Sequence, residues 1–256
     1  MRIALGIEYD GTAYNGWQRQ KTGLGVQQRV EEALQTVANH DIEVTCAGRT
    51  DTGVHAAGQV VHFDTDSQRD DRGWLLGANS NMPDDISVIW AQHVADDFHA
   101  RFHATGRNYR YRILNRLQRS ALHRHRAWWV YAPLDAEKMN IAAQHLLGEH
   151  DFSTFRAAGC GANTPHRNVT QIAVMRDGDW ITLSISANAF LQHMVRNIMG
   201  SLAAVGEGEQ HPDWLAEILA SRDRKRAGIA APPHGLTLMS ADYPEAYGIP
   251  GPLETY

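Results

Sequence analysis

Within its first forty residues the chain changes hydrophobic period once, from two to about 3.6, which restricts it to folds that pack helices on a sheet. Ile3-Ala4-Leu5-Gly6-Ile7-Glu8-Tyr9-Asp10 alternates apolar with small or polar residues, the pattern of a half-buried strand. A loop punctuated by Gly11, Gly16, Gly23 and Gly25 follows. Val26, Val30, Ala33, Leu34 and Val37 then recur at helical spacing and predict a helix over 26–38, with Glu31 and Glu32 outward. Glu43–Cys46, Gly58–Phe63 and Ile86–Trp90 read as short strands, which places the run from Arg49 to His55 on a turn between the first two.

The second half reuses this order. In Asn108-Tyr109-Arg110-Tyr111-Arg112-Ile113-Leu114 the tyrosines and arginines fall on opposite faces of a strand. Asp135 is the expected N-cap of a helix whose apolar stripe is Met139, Ala142, Ala143, Leu146 and Leu147, and Gly148 ends it. Val169–Met175 and Trp180–Ser186 flank Asp177-Gly178 and predict an antiparallel hairpin. A long helix is expected over 188–205, with Leu191, Val195, Ile198 and Leu202 as its core stripe. Opposite lie His193, Arg196, Asn197 and Gly200, a stripe without carboxylates that suits a wall facing a cleft or a second domain. A shorter helix over 212–220 precedes the basic run Ser221–Arg226, and the tail from Ala241, with Pro244, Pro250 and Pro252, reads as irregular.

At 256 residues and 43% hydrophobic, the chain can bury one large core or two small ones. No apolar run approaches the ~20 residues that span a bilayer, and Glu8 and Asp10 arrive before any signal-peptide core develops, so a cytoplasmic protein is expected. Cys46 and Cys160 make neither a disulfide scaffold nor a four-cysteine zinc site, and read as buried small apolar side chains. A net charge of −5 argues against a polyanionic partner, but the average hides a segregation: Arg101 to Arg126 holds eight arginines, three histidines and no Asp or Glu. Such a block builds a local positive field able to hold phosphates.

Gly48 and Gly53 bracket Arg49-Thr50-Asp51-Thr52, a setting that turns the backbone tightly and presents the Asp51 carboxylate. Arg49, two residues away on the same side, favours the ionised carboxylate and so a nucleophile. The same residues also serve an ordinary turn in which Asp51 bonds its own backbone. Asp51-Thr52-Gly53 matches the loops of aspartic proteases, but those come in pairs and this chain has one. A metal site from His55, His62 and Asp51 fits no standard ligand spacing.

Six stretches combine more specifically: Glu8-Tyr9-Asp10-Gly11, Gly16-Trp17-Gln18-Arg19-Gln20, the run Ala47-Gly48-Arg49-Thr50-Asp51-Thr52-Gly53-Val54-His55-Ala56, Phe98-His99-Ala100-Arg101-Phe102, Tyr109-Arg110-Tyr111, and Phe190-Leu191-Gln192-His193-Met194-Val195-Arg196-Asn197. In this order they resemble the tRNA pseudouridine synthase A family, from Ile3 to nearly Tyr243. The resemblance implies an α/β fold of two related subdomains, here 1–104 and 105–256. Each is expected to hold a mixed, mainly antiparallel sheet with helices on one face, and an active-site cleft is expected between them. It implies a homodimer that isomerises uridine in the anticodon stem-loop of tRNA, at positions 38, 39 and 40, with no cofactor or metal and no membrane. Asp51 matches the family's catalytic aspartate, Arg49 the arginine of the same motif, Tyr109 the tyrosine that packs on the target base, and Arg196 the basic residue expected to pair with Asp51. Gly106 and Asn108 stand where relatives often carry basic residues. Isomerisation breaks a glycosidic bond and rejoins the base through carbon without redox or net hydrolysis, in keeping with a sequence that has no dinucleotide fingerprint, phosphate loop or metal motif.

Overall fold

The computed structural model describes residues 1–251. In chain order the first half forms β1 (Arg2–Tyr9), α1 (Val26–Ala38), β2 (Thr45–Cys46), β3 (His55–Asp64), α2 (Asp71–Asn81) and β4 (Ile86–Val94). The second forms β5 (Gly106–Asn115), β6 (Trp128–Val130), α3 (Ala136–Gln144), β7 (Gly148–Asp151), β8 (His166–Asp177), β9 (Trp180–Ala187), α4 (Met194–Gly206), α5 (Trp214–Ser221) and β10 (Leu236–Asp242). This is a mixed α/β protein with mainly antiparallel strands, as expected. The expectation divided the chain once, after residue 104. The chain clusters instead as Met1–Arg107 together with the segment from Leu238 onward, and as Asn108–Thr237.

In the first unit the strand order is β4-β1-β3-β10, with β2 added to β3. β1 is antiparallel to both neighbours, in register Arg2↔Asp64 with β3 and Arg2↔Val94 with β4. It is more than half-buried: Ile3, Ala4, Leu5 and Ile7 are all fully covered. At Gly6 the place of a side chain is taken by the Trp90 indole, whose Nε1 lies 2.1 Å from where a Cβ would be. α1 has the expected bounds and ends at Asn39, whose φ of 60° the short amide side chain tolerates. Glu31, expected outward, is instead buried. It accepts from the Val44 N–H and from Gln27, and pairs with Arg19 at 2.6 Å. A buried carboxylate persists only when so paired. α2 had no strong apolar period, because only Trp74 and Ala78 of its eleven residues point inward. Asp70 caps it by accepting from the Gly73 N–H at 2.7 Å.

In the second unit the order is β5-β9-β8-β7, with β6 parallel to β5. The hairpin closes at Asp177↔Trp180 as expected, and Gly178 takes a φ of 55°. Asp135 caps α3 through the Lys138 N–H at 3.0 Å, and Leu146 is buried, but Leu147 is 40% exposed because the helix stops at Gln144. α4 starts six residues later than expected, because His193 is left-handed with φ 61° and Asn188 bonds the Ala189 and Asn168 N–H groups instead of entering a helix. The stripe opposite its core residues does not face open space. Gly200 lies against its own unit, where a Cβ would come within 1.7 Å of the Ile229 carbonyl, and Asn197 is buried between Phe155 and Arg224. Cys160, expected buried, is only partly so, whereas Cys46 is covered and burial pushes its thiol up to about 12.

Candidate active site

The Asp51 run lies between β2 and β3 in the first unit. Thr50 is buried, with its hydroxyl 2.7 Å from the Tyr9 hydroxyl, while Arg49 is exposed and Asp51 half-buried. After Asp51 the chain turns. The Val54 N–H reaches the Asp51 carbonyl at 3.1 Å, and Gly53 takes φ 76°, a left-handed conformation in which a side chain would be strained. Gly48, the other bracketing glycine, has neither a positive φ nor an atom within 4 Å of a would-be Cβ.

The loop after β1 supports this turn from below. Trp17 donates its N–H to the Thr50 carbonyl at 3.0 Å, and Gly53 donates to the Tyr14 carbonyl at 3.3 Å. The backbones approach so closely that a Cβ on Gly11 would lie 2.0 Å from the Val54 oxygen. Trp17, packed at 5.9 Å from the Tyr9 ring, is buried and holds this loop from inside. His55, also buried, accepts the Gly11 N–H at Nδ1 (3.0 Å). Its 3.1 Å approach to Asp10 is not an ion pair while that nitrogen is the acceptor, and Asp10 is satisfied by the N–H and hydroxyl of Thr12. His62 accepts the Ala100 N–H at 3.1 Å. Neither imidazole is arranged as a metal ligand, and among the described residues no three His, Cys, Asp or Glu side chains are grouped to hold a metal ion.

Two further groups hold the start of the loop, and the sequence did not single them out. Gln59 is fully buried on β3, and its amide reaches across to the backbone of Gly48. Arg107, first of β5's arginines, donates to the Ala47 carbonyl through Nη2 (2.8 Å) and Nε (3.3 Å), and to the carbonyls of Arg101 and Ala104. The basic block is therefore of two kinds. Arg107 is buried structure, and Arg112 lies 4.0 Å over the Trp180 ring with burial holding its pKa below the usual value. Arg101, Arg119, Arg124 and Arg126 are exposed.

In the second unit Tyr109, half-buried on β5, packs T-shaped against Phe190, with ring centroids 5.0 Å apart and planes at 80°. This joins the Tyr109 motif to the motif that precedes α4. Arg196, on the first turn of α4, donates Nε to the Ala231 carbonyl at 2.8 Å and accepts the Ala231 N–H on its own carbonyl at 3.0 Å. Of the four residues expected to act, Asp51 and Arg49 thus share one braced loop, while Tyr109 and Arg196 sit on β5 and α4 of the other unit.

The model of the tRNA pseudouridine synthase family matches residues 6–103 and 142–244. The chain is 55% identical to tRNA pseudouridine synthase A of Aeromonas hydrophila, covering 99% of this chain and 96% of that protein. It is 54% identical to the Vibrio campbellii protein of that name (99% and 97% covered) and 52% identical to that of Coxiella burnetii strain Dugway 5J108-111 (97% and 95%). With the Asp51 loop and the α4 motif inside the matched regions, and near-full-length relatives at 52–55% identity, the chain belongs to the tRNA pseudouridine synthase family, isomerases that act on tRNA.

Proposed function

We propose that the protein isomerises uridine to pseudouridine in the anticodon stem-loop of tRNA, at positions 38, 39 and 40, as a cytoplasmic homodimer without a cofactor, and that Asp51 is the nucleophile. The observation that carries this is the loop itself. Thr50 points inward to Tyr9, and the loop that carries Arg49 and Asp51 on either side of it is held by backbone bonds to Trp17 and Tyr14.

The target nucleotide must leave its stack to meet a carboxylate, at a cost of a few kcal/mol offset by stacking and phosphate contacts. Tyr109 supplies the stacking face, and Phe190 packs at right angles to its ring. Asp51 attacks as the carboxylate, with Arg49 and Arg196 as the basic residues of the reaction. The exposed arginines of the basic block hold the tRNA backbone.

The test is incubation with unmodified tRNA, followed by mapping of carbodiimide-resistant adducts by primer extension, for wild type and Asp51→Ala. Adducts at the three positions that vanish in the variant are expected. Binding of tRNA without adducts would instead mark a non-catalytic RNA-binding module, and cleavage of peptides an aspartic-type hydrolase.

A further inference from the structure

β2 and β3 pair as Thr45↔His62 and Cys46↔Val61, and one more rung follows, from the Ala47 N–H to the Val60 carbonyl at 2.8 Å. The next rung is made by a side chain. The Gln59 amide donates Nε2–H to the Gly48 carbonyl at 2.6 Å and receives the Gly48 N–H on Oε1 at a longer 3.4 Å.

The N–H and the carbonyl of one residue belong to two different peptide planes, so a group that grips both fixes that residue's φ and ψ. Glycine is the residue with most freedom to lose. Nothing packs within 4 Å of the place where a Gly48 Cβ would be, so its path is not set by contacts on that side. The path is set from inside, by Gln59 on Gly48 and by the Arg107 guanidinium on the preceding carbonyl of Ala47. Gly48 is three residues from Asp51, about 10 Å of extended chain. A rotation of ~6° there moves the carboxylate by ~1 Å, a misplacement that costs on the order of 100-fold in rate.

We propose that Gln59 is a positioning residue for the reaction: its buried amide sets the backbone at Gly48 and thereby the direction in which Asp51 is presented. This rests on the reading of Asp51 as the nucleophile. Gln59→Met keeps the length and removes both hydrogen bonds, and Gln59→Glu keeps the acceptor but turns a second oxygen toward the Gly48 carbonyl.

The measurement is the single-turnover rate constant on tRNA at saturating enzyme, which does not depend on the fraction of folded protein, together with the tRNA Kd and Tm. A fall of roughly 10- to 100-fold in rate with Kd within about twofold of wild type is expected for Gln59→Met, and at least as large a fall for Gln59→Glu. A wild-type rate with a lowered Tm would show a purely structural residue and overturn the proposal. So would a loss expressed in Kd alone. Asp51→Ala measured alongside separates the two claims. If it is inactive while Gln59→Met turns over normally, the Gln59 role alone is wrong. If Asp51→Ala keeps its rate, both fall.

Discussion

Trp17 donates its backbone N–H to the carbonyl oxygen of Thr50 at 3.0 Å, and by that bond the glycine-rich loop after β1 fixes the residue next to Asp51. The approach is close because Gly16, with φ 88°, has no side chain. A Cβ there would lie 2.6 Å from the same oxygen. Gly16→Ala is expected to cost about 1–3 kcal/mol of stability from backbone strain alone, and to lower turnover on tRNA at least 10-fold. Urea midpoints and initial rates check this. A stable, fully active variant would show that the two loops are not coupled.

Tyr9 and Thr50 share one buried hydroxyl contact of 2.7 Å. Tyr9→Phe and Thr50→Val each remove this buried hydrogen bond and should each destabilise by about 1–2 kcal/mol. The double variant should lose less than their sum by about 1 kcal/mol. Additive losses in chemical denaturation would mean the pair is not coupled.

His62 is buried against His99 and accepts the Ala100 N–H, and burial first, then the nearby Arg2 and His99 charges, lower its pKa from 6.5 to about 4. A base with a depressed folded pKa binds fewer protons folded than unfolded between those values, so its contribution is complete above pH ~6.5 and is lost as pH falls toward 4. That contribution is at most about 3 kcal/mol. His62→Asn, whose Oδ1 replaces Nδ1 as acceptor, should flatten the fall of Tm between pH 6.5 and 4. An unchanged slope would place the acid sensitivity elsewhere.

Arg107 and Arg119 lie in one basic block but should respond oppositely. Arg119 is exposed, and Arg119→Ala should reduce the salt slope of tRNA binding by about one and leave Tm unchanged. Arg107 is buried among three carbonyls, and Arg107→Lys should lower Tm while leaving that slope within error. Filter binding across a salt series, with a thermal melt, separates them.

Tyr109 packs at right angles to Phe190, a contact that helps hold its ring in place. If the ring stacks on the target base, Tyr109→Phe keeps tRNA affinity and Tyr109→Ala loses about 1–3 kcal/mol of it. A Tyr109→Phe variant that binds normally but fails to turn over would show that the hydroxyl takes part in the chemistry.

Much of this molecule was legible because local chemistry and global fold agree. The α1 stripe, the Asp135 cap and the Asp177-Gly178 hairpin each carry a residue type that admits little else at its position. The position of the Asp51 run between two strands followed from the same punctuation. What was not legible depended on long-range partners. Glu31 looks like a surface acid until Val44 and Arg19 arrive to bury it. Gln59 is one polar residue in an apolar strand, and its partner is eleven residues back in the chain. β10 was not read as a strand: Leu236, Leu238 and Ser240 are its buried side, and Ala241 and Asp242, expected to begin an irregular tail, complete it. On the α4 stripe expected to wall a cleft or a second domain, Asn197 and Gly200 meet their own unit.

The place of β10 in the sheet has a consequence for the order of synthesis. β3, the strand that follows the Asp51 loop, runs beside β10, so close that a Cβ on Gly58 would lie 2.5 Å from the Met239 carbonyl. About 170 residues separate the end of β3 from Leu236, and at ~5–20 residues per second the ribosome leaves the part of that side not paired by β2 open for many seconds. Throughout that interval a nascent chain carries a partly unpaired strand edge beside the Asp51 loop. The unit from Asn108 to Thr237 is emitted whole before the first one can close.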